Sequence, residues 1–141
     1  MHLREILEHK GRKIYSCTPD ESLTEVVHRL VEQNVGSLVV LEQGRMVGII
    51  TERDILRACH DGSATLQREL VVDRMTPKPV TLSPDHELSE AMDLMTERRI
   101  RHLPVTKEHE LFGIVSIGDL VKAQQEELAR ENHYLKSYIQ G

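Results

Sequence analysis

The sequence predicts a mixed α/β (α+β) protein made of two copies of one β-α-β-β-α unit, followed by a helix. The phrase GIITERDI, Gly48–Ile55, returns 65 residues later as GIVSIGDL, Gly113–Leu120, and the same offset relates Pro19 to Pro84. Within each copy, apolar residues first recur at helical spacing and then form two short β-branched runs. One small copy cannot cover both faces of its sheet. We therefore expect the two copies to pack sheet to sheet about a pseudo-twofold axis.

The first copy begins with a predicted helix, which Pro19 and Asp20 precede as is typical of a helix start. Its apolar stripe consists of Leu23, Val26, Val27, Leu30 and Val31. The runs SLVVLE and MVGII are rich in β-branched residues and are separated by QGR, which predicts a hairpin of two strands. A second helix is predicted from about Thr51 to Cys59.

The second copy repeats this order of elements. A helix is predicted over Glu87–Arg98, followed by the strands HLPV and LFGIV around a turn near Glu108, and then by a helix from Ile117. The polar segment DGSATLQREL, residues 61–70, predicts the connection between the copies. We expect a first domain over residues 1–65 with an N-terminal lead-in helix, a second domain over 66–125, and a helical extension over 126–141.

The predicted C-terminal helix has a narrow apolar stripe. Val121, Leu128 and Leu135 are seven residues apart, and Ile139 follows four residues later. Gln125 and Asn132 occupy the alternate positions of the same seam. Such a partly polar stripe packs on the body of the protein or pairs with another subunit. We expect a homodimer, with the intramolecular contact as the alternative.

Composition excludes several functional classes. The formal net charge is −5 and the chain has four aromatic residues, so neither a basic face nor base stacking points to nucleic acid. No apolar run is long enough for a membrane span, and the charged N-terminus lacks a secretion signal, so the cytoplasm is the expected location. No metal site is expected, because paired ligand spacing and HEXXH are absent. No P-loop, GxGxxG or nucleophile with its base is visible, so we expect no enzymatic activity and no catalytic cofactor.

The repeated phrase has two compatible interpretations. Thr51-x-x-Asp54 and Ser116-x-x-Asp119 match capping boxes that satisfy the first turn of a helix. The same geometry presents backbone donors to an anion and a carboxylate that can accept both hydroxyls of a ribose. Gly48 and Gly113 precede these boxes, and their lack of a side chain would let a flat base lie against the strand.

One difference between the copies concerns charge. VGSLVV in the first copy corresponds to IRHLPV in the second, so Gly36 and Ser37 are replaced by Arg101 and His102. Together with Arg98 and Arg99 just ahead, these residues form a positive cluster suited to phosphate. Stabilisation of a helix C-terminus explains Arg98 and Arg99 equally well. It explains Arg101 and His102 less well, because these two residues begin a strand.

The paired units, with GIITERDI, GIVSIGDL and RIRHLPV, resemble cystathionine-β-synthase (CBS) domains arranged as a tandem pair, a Bateman module. The resemblance covers about residues 12–124, and LREIL and LVVDRMTPKPV look like the lead-in helix and first strand of such domains. It implies a cleft that holds adenosine nucleotides (AMP, ATP or NAD(H)), as in free-standing bacterial and organellar CBS pairs.

The resemblance also implies roles for individual residues. Asp54 and Asp119 would bind ribose hydroxyls, with Thr51 and Ser116 beside the ribose or phosphate. The phosphate-binding cations would be Arg101 and His102, with Arg53 as a further candidate, and Ser16 and Thr81 would line the adenine pocket. Because Gly36 and Ser37 carry no charge, we expect the two sites to differ in affinity.

Two hypotheses of function follow. The first is a regulatory module that senses adenosine nucleotides and transmits a conformational or oligomeric change to a regulated protein. The alternative is a constitutive assembly protein whose clefts are empty, whose repeated motifs are helix caps only, and whose C-terminal helix recruits a partner.

Overall fold

The computed structural model describes residues 1–62 and 66–140. Within them the helices are α1 (Leu3–Lys10), α2 (Leu23–Gln33), α3 (Glu52–His60), α4 (Val71–Arg74), α5 (Leu88–Arg98) and α6 (Ile117–Gln140). The strands are β1 (Ser16–Cys17), β2 (Ser37–Glu42), β3 (Arg45–Thr51), β4 (Thr76–Pro77), β5 (His102–Lys107) and β6 (Glu110–Ser116). The mixed α+β class, the two hairpins and the C-terminal helix are confirmed. Part of the predicted connection, residues 63–65, lies outside the described residues.

The chain divides into two compact units that do not follow the repeat boundary. One unit comprises Lys13–Val80 together with Glu108–Leu111, and the other comprises Met1–Arg12, Thr81–Lys107 and Phe112–Gly141. The predicted split at residue 65 follows the sequence repeat, whereas these units follow spatial contact. Helix α1 therefore belongs to the unit that contains the second copy's elements, and α4 and β4 belong to the unit that contains the first copy's elements.

The Lys13–Val80 unit is built on a four-stranded sheet in the order β1-β2-β3-β4. Strand β1 runs parallel to β2, and β3 is antiparallel to both β2 and β4. The core beneath this sheet consists of Cys17, Leu23, Val26, Leu30, Leu38, Val40, Ile50, Ala58 and Val71. Val31, which the periodicity placed on the buried stripe of α2, is 74% exposed. The buried face of α2 is thus narrower than predicted.

The other unit places α1, α5 and α6 around the β5–β6 hairpin. Leu82 extends the hairpin by a parallel bridge to Val105, which corresponds to the pairing of β1 with β2. Its fully buried side chains include Leu3, Leu7, Leu103, Val105, Val115 and Leu120. Helices α2 and α5 end alike, at Asn34 and Arg99 in the left-handed conformation (φ 52° and 55°), and these residues are 65 positions apart.

The two lead-in helices occupy corresponding positions but differ in length. Val72 of α4 donates its backbone N–H to the Pro19 carbonyl at 3.0 Å, and Arg4 of α1 makes the same bond to Pro84 at 2.9 Å. Since α4 has four residues and α1 has eight, α1 continues for one further turn. That turn ends at Lys10 and has no counterpart in α4, because the chain after α4 instead enters β4.

Helix α6 leaves most of its apolar stripe uncovered within this chain. Leu120 and Ala123 are buried, but Leu128, Leu135 and Ile139 are 56%, 48% and 81% exposed. The described residues therefore do not adopt the intramolecular alternative, in which this stripe would pack on the body of the protein. No helix of this part of the chain combines the length and apolar character that a bilayer crossing requires.

Candidate functional site

The capping box of the first copy forms at the start of α3. The Asp54 backbone N–H donates to Thr51 Oγ1 at 3.4 Å, and the Thr51 backbone N–H donates to Asp54 Oδ2 at 2.8 Å. The Thr51 hydroxyl adds a further bond to Oδ2 at 3.2 Å. Asp54 is 7% exposed, and the described hydrogen bonds that its carboxylate accepts all end on Oδ2. Within residues 1–62 and 66–140 no ion pair involves Asp54, and its Oδ1 accepts no described hydrogen bond.

The capping box of the second copy forms in the same way at the start of α6. The Asp119 backbone N–H donates to Ser116 Oγ at 3.1 Å, and the Ser116 backbone N–H donates to Asp119 Oδ2 at 2.8 Å. The ammonium group of Lys10, from α1, also contacts this box. Its Nζ lies 2.6 Å from Asp119 Oδ2 and 2.9 Å from the Ile114 carbonyl oxygen. The two boxes therefore match in backbone geometry and differ in charge.

The predicted capping role is confirmed at both boxes. Each box satisfies backbone N–H groups that the first turn of a helix leaves without partners. The carboxylate also lies near the positive end of the helix dipole. This structural role uses one carboxylate oxygen in each copy, so capping and ribose binding remain compatible.

The two glycines ahead of the boxes are packed closely by the protein itself. A Cβ placed on Gly48 would lie 2.7 Å from Met75 Sδ and 2.8 Å from the Thr76 carbonyl oxygen. A Cβ placed on Gly113 would lie 2.9 Å from Leu7 Cδ2. Because these glycines have no side chain, the lead-in segments can pack closely against β3 and β6. A contact between adenine and either glycine stays a prediction.

Arg101 lies beside the second box, and the backbone explains why. Its carbonyl oxygen accepts the Ile117 N–H at 2.8 Å, as the Gly36 carbonyl accepts the Glu52 N–H at 3.1 Å in the first copy. The residue that faces the start of the helix is therefore an exposed arginine in one copy and a glycine in the other. His102 follows at the first position of β5 and is half-buried.

The remaining predicted residues are more scattered. Arg53 is exposed on the first turn of α3. Ser16 and Thr81 are half-buried at equivalent positions. The Ser16 carbonyl accepts a bond from Arg29 at 2.9 Å, and the Thr81 hydroxyl accepts one from Thr106 at 3.3 Å. In the described part of the chain, no hydrogen bond joins Ser16 or Thr81 to the capping boxes, and their place in an adenine pocket stays a prediction.

Sequence reasoning missed Lys10. It is one of several charged residues in the lead-in segment, and nothing in its local pattern separates it from its neighbours. Only the three-dimensional packing of α1 beside β6 brings its ammonium group to Asp119. Among the described residues, no group of three or more His, Cys, Asp and Glu side chains is arranged to hold a metal ion.

The family follows from the duplicated architecture and its twin boxes. A family model described as "CBS domain" matches residues 3–61 and again residues 68–126. The chain belongs to the CBS-domain family. The resemblance inferred from the repeated phrases is thereby confirmed, and the two matches establish a tandem CBS pair.

Similar proteins carry the same arrangement. A mitochondrial CBS domain-containing protein of Arabidopsis thaliana is 38% identical over 148 residues, covering 99% of this chain and 72% of the relative. A crystal structure of a CBS-domain containing protein from Agrobacterium tumefaciens has a TM-score of 0.85 at 34% identity and covers 88% of this chain and 99% of that chain.

A second similar structure was solved with ligands. The CBS domain pair of protein MJ0100, in complex with 5′-methylthioadenosine and S-adenosyl-L-methionine, has a TM-score of 0.73 at 22% identity. It covers 87% of this chain and 98% of that chain. At this identity the likeness shows the fold alone.

Proposed function

We propose that this CBS pair is a regulatory module that binds adenosine nucleotides and is not an enzyme. Asp54 and Asp119 accept the ribose hydroxyls in their respective copies, and Arg101 and His102 bind phosphate in the second copy, with Arg53 as a further cation. The ligand is an adenosine nucleotide such as AMP, ADP, ATP or NAD(H). Binding shifts the balance between two arrangements of the chain or of its oligomer, which a regulated partner then recognises.

One observation carries this proposal most strongly. Two carboxylates at equivalent positions of the repeat are each fixed through Oδ2 at a helix N-terminus, and the described bonds leave Oδ1 unused. A carboxylate oxygen held in this way is preorganised to accept a hydrogen bond from a hydroxyl group. The helix N-terminus beside it favours an anionic group. The CBS pair solved with two adenosine-containing molecules supports the choice of an adenosine ligand.

Thermal unfolding with a nucleotide panel tests the proposal. A ligand that binds only the folded state stabilises it by RT ln(1 + [L]/Kd), about 2.7 kcal/mol at a hundredfold excess over Kd. We expect AMP, ATP or NAD(H) to raise the melting temperature of the wild-type chain. Asp119→Ala should reduce this rise strongly.

The matched control is Asp93→Ala, which removes the same charge from an exposed position of α5. It should leave the nucleotide-induced rise unchanged. No rise with any nucleotide, or an equal rise in Asp119→Ala and the wild type, would contradict the proposal.

The assembly alternative is favoured by the uncovered stripe of α6 and by capping boxes that are complete within the chain itself. Under this alternative, Asp54→Ala and Asp119→Ala each lower the free energy of unfolding by about 1 kcal/mol, because a cap is lost. The same loss is expected under nucleotide binding. Only the melting shift caused by nucleotide therefore separates the two functions.

A further inference from the structure

We propose that Lys10 determines the ligand selectivity of the Asp119 site, an inference that rests on the proposed nucleotide binding. In the ligand-free chain its ammonium group pairs with the Asp119 carboxylate. A ribose that binds this carboxylate must therefore compete with the ammonium group. When a ribose displaces it, the ammonium group pairs with the phosphate of the same ligand. The site therefore selects phosphorylated nucleotides over uncharged nucleosides.

The position of Nζ supports the competition. Lys10 Nζ lies 2.6 Å from Asp119 Oδ2, and the same oxygen accepts the Ser116 N–H at 2.8 Å. Two donors already occupy one oxygen, so a cis-diol that requires both carboxylate oxygens must displace one of them. The backbone N–H belongs to the helix cap and cannot leave without opening the first turn of α6. The lysine side chain is therefore the donor that gives way.

The end of α1 is held without Lys10, so its side chain can move alone. Arg12 donates its Nε–H to the Phe112 carbonyl at 2.8 Å, and its guanidinium lies 3.7 Å from the centre of the Phe112 ring. At the other end of the helix, Arg4 pairs with Asp85 at 2.8 Å. Because these contacts anchor α1 at both ends, release of Nζ requires rotation of a flexible four-carbon stem and no movement of the backbone.

The charge balance supports the selectivity. A nucleoside that takes Asp119 leaves the ammonium group without its carboxylate partner, whereas a nucleotide supplies a phosphate in exchange. The backbone of Arg101 contacts the start of the same helix, and we expect its exposed side chain to supply a second cation for that phosphate. At the Asp54 site the second donor to Oδ2 is the uncharged Thr51 hydroxyl and not an ammonium group, because α4 lacks the additional turn that carries Lys10. Only the second site is therefore expected to discriminate in this way.

Titrations followed by NMR can read the two sites separately. The amide of Ser116 donates to Asp119 and reports the second site, and the amide of Thr51 donates to Asp54 and reports the first. Adenosine and AMP are titrated into the wild type and into Lys10→Met. An exposed ion pair contributes up to about 1 kcal/mol, which is about fivefold in affinity, so we expect the AMP-to-adenosine affinity ratio at Ser116 to fall by up to about fivefold in Lys10→Met. The ratio at Thr51 should not change.

Three further variants complete the design. Lys136→Met removes a positive charge from an exposed position near the end of α6 and should keep the wild-type ratio at Ser116. Lys10→Arg should keep it as well, because the charge is retained. Lys10→Gln retains a donor for the Ile114 carbonyl but loses the charge, so it should lower the ratio as Lys10→Met does. It provides a second test of the charge in case Lys10→Met does not fold.

Failure of this inference and failure of the proposed function give different results. If both ligands bind and the ratio at Ser116 is the same in wild type, Lys10→Met and Lys10→Gln, the role of Lys10 is wrong while nucleotide binding stands. If neither ligand shifts the amide of Thr51 or Ser116 in the wild type, the proposed function is wrong and the role of Lys10 is wrong with it.

Discussion

At the scale of single residues, Asp119 and Asp54 show how a helix cap fixes a carboxylate in one orientation. Each carboxylate caps a helix through Oδ2, and this bond fixes its orientation. Binding a hydroxyl through the second oxygen needs no rearrangement of the cap. A ligand at such a position uses an arrangement that folding has already formed.

The two cysteines should differ sharply in reactivity. Cys17 is buried, and desolvation raises the pKa of its thiol to about 12, whereas Cys59 is exposed. Since the thiolate is the reactive form, we expect iodoacetamide at pH 8 to modify Cys59 and to spare Cys17 in the folded chain. Peptide mass spectrometry after timed quenching measures both sites in one sample.

The same pKa shift has a consequence for stability. The folded-state pKa of Cys17 lies above its ordinary value of 9.0, so its contribution to stability is complete below about pH 9 and is lost as pH rises towards 12.

Equal alkylation of the two cysteines at pH 8 in folded protein would contradict the described burial.

Local patterns predicted some of these residues and not others. Thr51-x-x-Asp54 and Ser116-x-x-Asp119 predicted capping boxes correctly, because a capping box depends on residues three positions apart. Lys10 reaches Asp119 across 109 positions of sequence, and no local rule predicts such a contact. Ser22, whose hydroxyl caps α2 by accepting the Glu25 N–H, was missed although Ser-x-x-Glu is a recognisable signal.

At the scale of secondary-structure elements, the glycines of β3 and β6 determine how closely a lead-in segment approaches its strand. We expect Gly48→Ala to lower the free energy of unfolding by about 1–3 kcal/mol, because the new methyl group would meet the Thr76 backbone oxygen as well as Met75. Gly113→Ala should lower the free energy of unfolding by less, because the new methyl group would meet only the side chain of Leu7, which can rotate. Urea unfolding of both variants compares them directly.

Gly118→Ala is a suitable control for this comparison, because a Cβ there would have only an ordinary contact of 3.6 Å with Ser116 Oγ. A larger loss of stability in Gly113→Ala than in Gly48→Ala would show that the backbone contact at Thr76 is not the decisive one.

The elements and the two hairpins were predicted well, but the contacts between distant segments were not. Both hairpins and helices α2, α3 and α5 agree with the apolar periodicity of the chain, because their amphipathic faces are local properties of the sequence. The pairing of β4 with β3 and the position of α1 beside β6 depend on contacts between distant segments. Periodicity carries no information about such contacts.

At the scale of the whole molecule, the uncovered stripe of α6 predicts self-association. We expect the full chain to sediment as a dimer and the chain truncated after Gln124 to sediment as a monomer of less than 16.2 kDa. The reason is that pairing of two α6 helices would bury Leu128, Leu135 and Ile139, which one chain leaves exposed. Analytical ultracentrifugation measures both masses.

Substitutions can test the same surface without shortening the helix. The double variant Leu128→Asp with Leu135→Asp should dissociate the dimer, whereas Ser137→Asp, on the opposite side of α6 from Leu128, should not. An unchanged mass after truncation would contradict pairing through α6.

The duplication made the overall architecture predictable, because two independent copies of each pattern support the same assignment. It could not reveal that the lead-in segments are exchanged, with Met1–Arg12 in the unit of the second copy and Val71–Val80 in the unit of the first. This exchange has a consequence for biosynthesis. The first unit lacks the β4 partner of its sheet until residue 77 has been made, and Leu7 has no β6 to cover until Gly113 follows. More than half of the polypeptide must therefore be made before the first sheet has all its strands, and most of it before α1 has its partner strand. A gene cut at the linker would encode two incomplete proteins.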